Sequence, residues 1–385
     1  MYRIETPSAR YADPWLVPLP ERLQALTKRS TRVLYLYEQA DNSTFRYRAF
    51  NMQSIWNSGS RVSSSYFFYA DLPYLTAYPP SVDVVVVCRC RYSNDLATFL
   101  ELLRQDGARI MFDVDDLVFS PAHVHLVVNT LAQDLSDPGV WDFWHAYTSR
   151  MREAMRLCDA AITTNLSLAT QIIEGVGIPA VVVPNALNRM QLEISDQLYN
   201  EKLQRGFERS DRLEIGYFSG TPSHEKDFGV VEQALASLLL RHDNIAIRVV
   251  GFLRDRELLW PFRNRIDTYP LQDFVNLQRI IAQCELNIVP LQQNVFTNCK
   301  SELKYFEAAI VGTATIATPI HSYSDAIRHG ETGLLAQAHE WEEQIEMLVA
   351  SPSRLIDLAQ RAHDHARWAY APEQQGAVLE RAIFG

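Results

Sequence analysis

The chain has 385 residues, 47% of them hydrophobic and 21% charged, a globular composition with room for two ordinary domains. Its net charge of -10, with no long basic run, argues against a nucleic-acid partner. No apolar run reaches the ~18 residues of a membrane span, and the opening MYRIETPSARYADPW lacks a signal peptide's apolar core, so the expected location is cytoplasmic.

Of the five cysteines, Cys88 and Cys90 flank Arg89 on an expected strand, and Cys158, Cys284 and Cys299 stand alone. Neither a zinc spacing nor a secreted disulfide framework results.

Residues 1–31 read as an extended lead-in with a short helix, PERLQALTKR. Residues 32–37 form the first buried strand, and the polar turn 40–45 follows, holding Ser43 and Thr44. A helix then opens at Arg46 and runs to Trp56. In a parallel sheet the loop after a strand's C-terminal end is where ligands bind. Arg46 and Arg48 therefore either meet an anionic substrate or form an ordinary solvated helix start. The aromatic segment 65–80 is either a docking patch or packing within its own domain. Residues 82–88 are a continuous apolar strand of the parallel-sheet kind. A helix at 94–105 and a strand at 109–112 follow, and that strand delivers Asp113-Val114-Asp115-Asp116. A long loop with His123 and His125 leads to a helix carrying Trp141 and Trp144. A strand (160–164), a helix (166–174) and a strand (180–183) close the first half. The polar, charged stretch 191–208, with a helical segment near Leu198, is the domain boundary.

The second half opens with a strand at 213–218, then Ser219-Gly220-Thr221-Pro222-Ser223-His224-Glu225-Lys226 and a helix to Leu240. A small-residue turn entering a helix presents free N–H groups and a positive dipole end, a natural phosphate cradle, and Lys226 adds charge. Strands at 245–251 and 265–269 follow; the second ends in Tyr269-Pro270-Leu271. A helix (271–284) and a strand (286–291) lead into NCKSELKYFEAAIVGTATIATP, residues 298–319. There Leu303, Phe306 and Ile310 make an apolar helical stripe with Glu307 at its edge and Lys300 and Lys304 on the same flank. Gly312 fits a helix C-cap before a buried strand. Gly330-Glu331-Thr332-Gly333-Leu334-Leu335 is a turn, and helices at 341–349, 352–368 and 372–384 end the chain.

Glu307-Ala308-Ala309-Ile310-Val311-Gly312 resembles the second half of the donor signature of family-4 glycosyltransferases, retaining enzymes with the GT-B fold. Val183-Pro184-Asn185-Ala186-Leu187-Asn188, the Ser219-Gly220 turn and Gly330 to Leu335 are similar to further family segments. The resemblance implies an α/β, GT-B protein: two doubly wound Rossmann-like domains facing a central cleft. Residues 1–190 would bind acceptor, joined by a crossing helix at 372–385, and residues 209–371 would bind the nucleotide sugar. Glu307 would hold the donor ribose. Ser219, Gly220, Thr221, His224, Lys226, Tyr269, Pro270, Leu271, Lys300 and Ser301 would complete the donor site, with Ser43, Thr44, Arg46 and Arg48 on the acceptor side. The family's first glutamate falls at Cys299, which cannot accept sugar hydroxyls as a carboxylate does.

Asp113-x-Asp115 has the form of a metal-binding pair of another transferase fold. The resemblance instead aligns Asp115 with a histidine beside the donor sugar, followed by Asp116. The expected catalytic set is thus Asp115, Asp116, Lys226 and Lys300, without metal or cofactor. The expected partners are a nucleoside-diphosphate sugar and a glycan or lipid-linked glycan of bacterial surface polysaccharide, with peripheral membrane contact. Two other classes share the fold: a nucleotide-sugar 2-epimerase and a catalytically silent scaffold. No Gly-x-Gly-x-x-Gly follows a strand, which excludes the usual dinucleotide dehydrogenase.

Overall fold

The computed structural model describes residues 1–41, 43–57, 61–131, 133–220, 225–254 and 256–385. Within them, two all-parallel six-stranded sheets are flanked by helices. The first sheet contains β1 (Thr31–Tyr37), β2 (Val62–Phe68), β3 (Val84–Cys88), β4 (Arg109–Val114), β5 (Ala160–Thr163) and β6 (Ala180–Val182), in the order β2-β1-β3-β4-β5-β6. The second contains β7 (Leu213–Ser219), β8 (Ile245–Gly251), β9 (Ile266–Tyr269), β10 (Leu286–Val289), β11 (Ala314–Ala317) and β12 (Leu334–Leu335), in the order β12-β11-β10-β7-β8-β9. Helices cover both faces of such sheets, so central strands read as unbroken apolar runs. In β3, Val84 to Cys88 are all buried.

Each sheet has a point where strand order reverses, and loops leaving the strands there diverge to open a crevice. In the first sheet it lies between β1 and β3, which places Ser43, Thr44 and Arg89 at its rim. In the second it lies between β7 and β10, which places Gly220 and Lys300 there.

Three features depart from expectation. The aromatic segment contains β2, parallel to β1. Its serine run hid the strand, but the run is buried, and two of its hydroxyls find backbone partners. Ser63 bonds the Leu26 carbonyl and Ser64 the Gln53 carbonyl. Second, the expected link 191–208 is largely the helix Arg189–Gln204, capped by Asn188 and burying Leu192, Leu198 and Tyr199. Third, residues at the chain's start lie on the second domain: Tyr2 N–H donates to the Gln283 carbonyl at 2.8 Å and Arg3 N–H to the Glu208 carbonyl at 3.1 Å. The last helix, Pro372–Phe384, packs on the first domain, with Phe384 against Trp56 and Arg109 donating to the Ile383 carbonyl at 2.8 Å.

Gly312 has φ +65°, and a Cβ there would meet the Tyr199 ring at 2.7 Å, so only glycine fits the turn. Among the described residues no helix is long and apolar enough to cross a membrane.

Candidate functional site

The two reversal points face each other across a cleft of about 610 Å³. Ser43, Thr44, Arg46, Asp115 and Asp116 line it from the first domain, and Ser219, Gly220, Leu271, Lys300 and Glu307 from the second. Arg89 and Lys304 line it too, and the motifs had not assigned either. Thr221 and His224 lie outside the described residues.

Glu307 sits on the short helix Leu303–Ala309, 7% exposed. A carboxylate so placed needs partners, and they come from the other domain. Arg46 Nη2 lies 3.1 Å from Glu307 Oε1, and Tyr47 donates its hydroxyl to the same oxygen at 2.5 Å. Burial holds the Tyr47 phenol far above its ordinary pKa, so it stays a donor. Gln191 donates to the Tyr47 oxygen at 3.0 Å. Arg46 is 3% exposed and lies over the rings of Tyr47 and Phe274, at 4.4 and 4.7 Å. Its Nε and Nη1 have no hydrogen-bond partner among the described residues. Glu307 Oε1 is thus engaged across the cleft, and Oε2 is the oxygen on offer to a ligand.

Arg46 and Arg48 are two residues apart and do opposite things. Arg48 is fully buried and does not reach the cleft, which corrects the expectation of a substrate contact. Its Nε and Nη2 each donate to an Asp113 oxygen at 2.8 Å, and Nη1 donates to the Val183 carbonyl at 2.8 Å and to Asn185 Oδ1 at 3.1 Å. The wide helical turn Arg46–Phe50 aims one arginine outward and the other into the domain.

The same geometry bears on Asp113-x-Asp115. Asp113 is spent on Arg48, whereas Asp115 turns to the cleft and accepts from Thr44 Oγ1 at 2.8 Å and Arg89 Nη1 at 3.1 Å. Arg89 also donates to Thr44 Oγ1 at 2.8 Å. The two carboxylates face different partners, not one shared point. Arg89 has φ +45°, an uncommon conformation for a residue with a Cβ, directly after β3. Its position as the first residue past a buried strand at a reversal point is the signal that could have found it.

Lys300 lies in the turn before the Leu303–Ala309 helix, not on the helix as expected. Its Nζ is 3.8 Å from Asp116 Oδ2 and 4.7 Å from the centre of the Phe296 ring. Lys304, one helical turn before Glu307, has its pKa lowered to about 8 by burial, with Lys300 adding repulsion. The i, i+3 spacing of Lys304 and Glu307 was the available clue. Lys226, by contrast, is off the cleft wall and bonds Asn129 of the first domain. Tyr269, Pro270 and Ser301 are off the wall as well. Tyr269 packs under Arg248, and Ser301 accepts from Asn185 Nδ2 at 3.2 Å. Cys299, at the missing glutamate's position, is fully buried with its thiol 3.7 Å from the Ser167 hydroxyl.

Chemically, one wall offers two ammonium groups and a carboxylate within a short span, next to the backbone at Gly220. That set suits a diol joined to a diphosphate.

Residues 212–351 match the family model described as Glycosyl transferases group 1. The chain is 44% identical over 63 residues to a D-inositol 3-phosphate glycosyltransferase of Rhodococcus erythropolis, covering 16% of this chain and 14% of that protein. It is 29% identical over 163 residues to the protein of the same name from Nocardia farcinica, covering 37% and 35%. The chain thus spans about a third or less of the curated relatives it matches. Among solved structures, it is similar to Anabaena HepE in complex with UDP and glucose, with TM-score 0.61, 12% identity and coverage of 91% and 99%. Sucrose-phosphate synthase from Thermosynechococcus elongatus gives TM-score 0.62 at 14% identity, with coverage of 91% and 97%. The fold is GT-B.

Proposed function

We propose that this protein is a retaining glycosyltransferase that moves a sugar from a nucleoside diphosphate to a hydroxyl of a glycan acceptor. The observation that carries the reading is the wall formed by Lys300, Lys304 and Glu307 beside Gly220 at the second sheet's reversal point. The match of residues 212–351 to the group 1 transferases supports it.

In this reading Glu307 Oε2 accepts from the ribose hydroxyls, while Arg46 and Tyr47 hold the carboxylate through Oε1. The diphosphate lies against Lys300, Lys304 and the Gly220 backbone. Departure of the sugar leaves a diphosphate with growing negative charge, and fixed cations in a sheltered cleft stabilise it without reorganising. No metal is required for that charge. Asp115, fixed by Thr44 and Arg89, meets the incoming acceptor hydroxyl, and Ser43 and Thr44 edge the acceptor side. The acceptor class is a surface polysaccharide, free or lipid-linked, met at the cytoplasmic face of the membrane.

The test is donor turnover with and without EDTA, together with Asp115→Asn. We expect full activity in EDTA, product of retained anomeric configuration, and a loss of about 100-fold in kcat for Asp115→Asn at unchanged nucleotide affinity. Metal-reversible loss of activity would refute the mechanism. Formation of a new sugar nucleotide without any acceptor would favour an epimerase. Nucleotide binding with no turnover would favour a scaffold.

A further inference from the structure

The end of the cleft away from Glu307 is unlike the rest of it. Beyond the Lys300–Asp116 contact, the wall consists of Val118 and Val127, 3% exposed each, Leu131, Trp144 and Phe296. Those side chains come from both domains, so an occupant of this end is enclosed by hydrocarbon on both sides. The polar groups that interrupt them are mostly already used. The Thr130 hydroxyl donates to the Leu126 carbonyl of its own helix at 2.7 Å, and the Trp144 indole donates to Gln133 Oε1 at 2.8 Å. One group is left over: Asp116 Oδ1 is buried with no hydrogen-bond partner among the described residues. Of the neighbouring positions, Cys299 is fully buried, and Asp115 is turned to Thr44 and Arg89 on the acceptor side.

We propose that this end receives the sugar of the donor and that the sugar is a 6-deoxyhexose, with a ring hydroxyl donating to Asp116 Oδ1 and its methyl group against Val118, Val127 and Phe296. The inference rests on the glycosyltransferase reading. Position follows from connectivity: with the ribose at Glu307 and the diphosphate at Lys304 and Lys300, the next group along the donor reaches Asp116 and the apolar end. Chemistry then selects the sugar. A hydroxymethyl arm would bury a hydroxyl among aliphatic side chains without a partner, whereas a methyl group leaves nothing unpaired. An acetamido group brings a methyl but also a carbonyl, and Lys300, the cation paired with Asp116, is committed to the phosphates. Discrimination by an apolar pocket against an added hydroxyl is moderate, about 10- to 100-fold.

The experiment measures dissociation constants by calorimetry for donor pairs that differ only at C6, without acceptor. The pairs are UDP-glucose with UDP-6-deoxyglucose, GDP-mannose with GDP-6-deoxymannose, dTDP-glucose with dTDP-6-deoxyglucose, and GDP-L-galactose with GDP-L-fucose; UDP, GDP and dTDP serve as sugar-free probes. The expected result is a pair whose deoxy member binds about 10-fold or more tightly than its partner. Val127→Thr, which keeps volume and adds a hydroxyl, should narrow that gap to about threefold. Binding of a nucleoside diphosphate with parity across every pair would overturn the inference and leave the transferase reading standing. Failure of every nucleoside diphosphate to bind would overturn both.

Discussion

At the edge of the first sheet Arg48 gives Asp113 two hydrogen bonds of 2.8 Å, and Arg89 and Thr44 together occupy Asp115. At the edge of the second sheet Lys300 stands 3.8 Å from its nearest carboxylate, and Lys304 makes no ion pair among the described residues. Both edges are rich in charge, and both face one cleft. The first balances Asp113 and Asp115 internally, and Arg48 does so with the planar, forked geometry that suits a carboxylate. The second holds two like charges close together in partial burial, an arrangement that costs stability until an anion arrives. One edge is built as a frame and the other as a receptor. Substitutions should therefore register in stability on the first and in ligand binding on the second.

The sharpest way to break the comparison is Asp113→Ala. Removing one partner strands the buried Arg48 guanidinium, so global stability should fall by about 3–5 kcal/mol in denaturant unfolding. A variant as stable as the parent, with its loss confined to catalysis, would mean that Asp113 belongs to the site after all.

Next in size is Glu307→Gln, where Arg46 and Tyr47 of the first edge hold a carboxylate of the second. Nucleotide affinity should drop by about 1.5–3 kcal/mol, the range for a hydrogen bond to a charged group. Unchanged affinity in a folded variant would remove Glu307 from the donor site.

The smallest effect is a pH dependence that sharpens the distinction between lysines. Lys304 has its pKa lowered to about 8 in the unliganded protein, and a bound diphosphate must raise it. Below pH 8 both states carry the proton and affinity is flat. Above pH 8 binding takes up a proton, so affinity for a nucleoside diphosphate declines as pH rises. Calorimetry in buffers of differing ionisation enthalpy reads that uptake directly. Lys304→Met should abolish the bend, whereas Lys226→Ala, on an exposed residue bonded to Asn129, should leave affinity within about twofold.

The second domain was the more legible. Its strands are apolar runs, its helices are periodic, and Glu307 lies in a patterned stretch, so most of its element order is legible in the sequence, whereas the reversal point follows only from the strand pairing. The first domain concealed β2 behind a serine run in which the Ser63 and Ser64 hydroxyls are satisfied by partners outside the strand. The site was legible at Asp115, Gly220 and Lys300 as positions past strand ends. It was not legible where direction decides the role. Arg46 and Arg48 are the same residue type on one helical turn, and only the packing of the first domain says which faces the cleft. Lys226 sits in the expected cradle segment, yet its side chain leans onto Asn129. Arg89 had no motif, because what marks it is backbone conformation, and Lys304 showed only its helical spacing from Glu307.

The crossings at the two ends of the chain carry a mechanical consequence. Residues 2 and 3 are stitched to the second domain before the chain enters the first, and the last helix returns to the first after the second is finished. With the middle link, three passes of backbone join the lobes. A body hung on three tethers can twist or hinge about them but cannot swing free, so cleft opening should be a small rotation, with sideways drift suppressed. The same lacing means that melting either lobe strips a piece from the other. Heating should therefore produce one shared transition for both lobes, not two in succession.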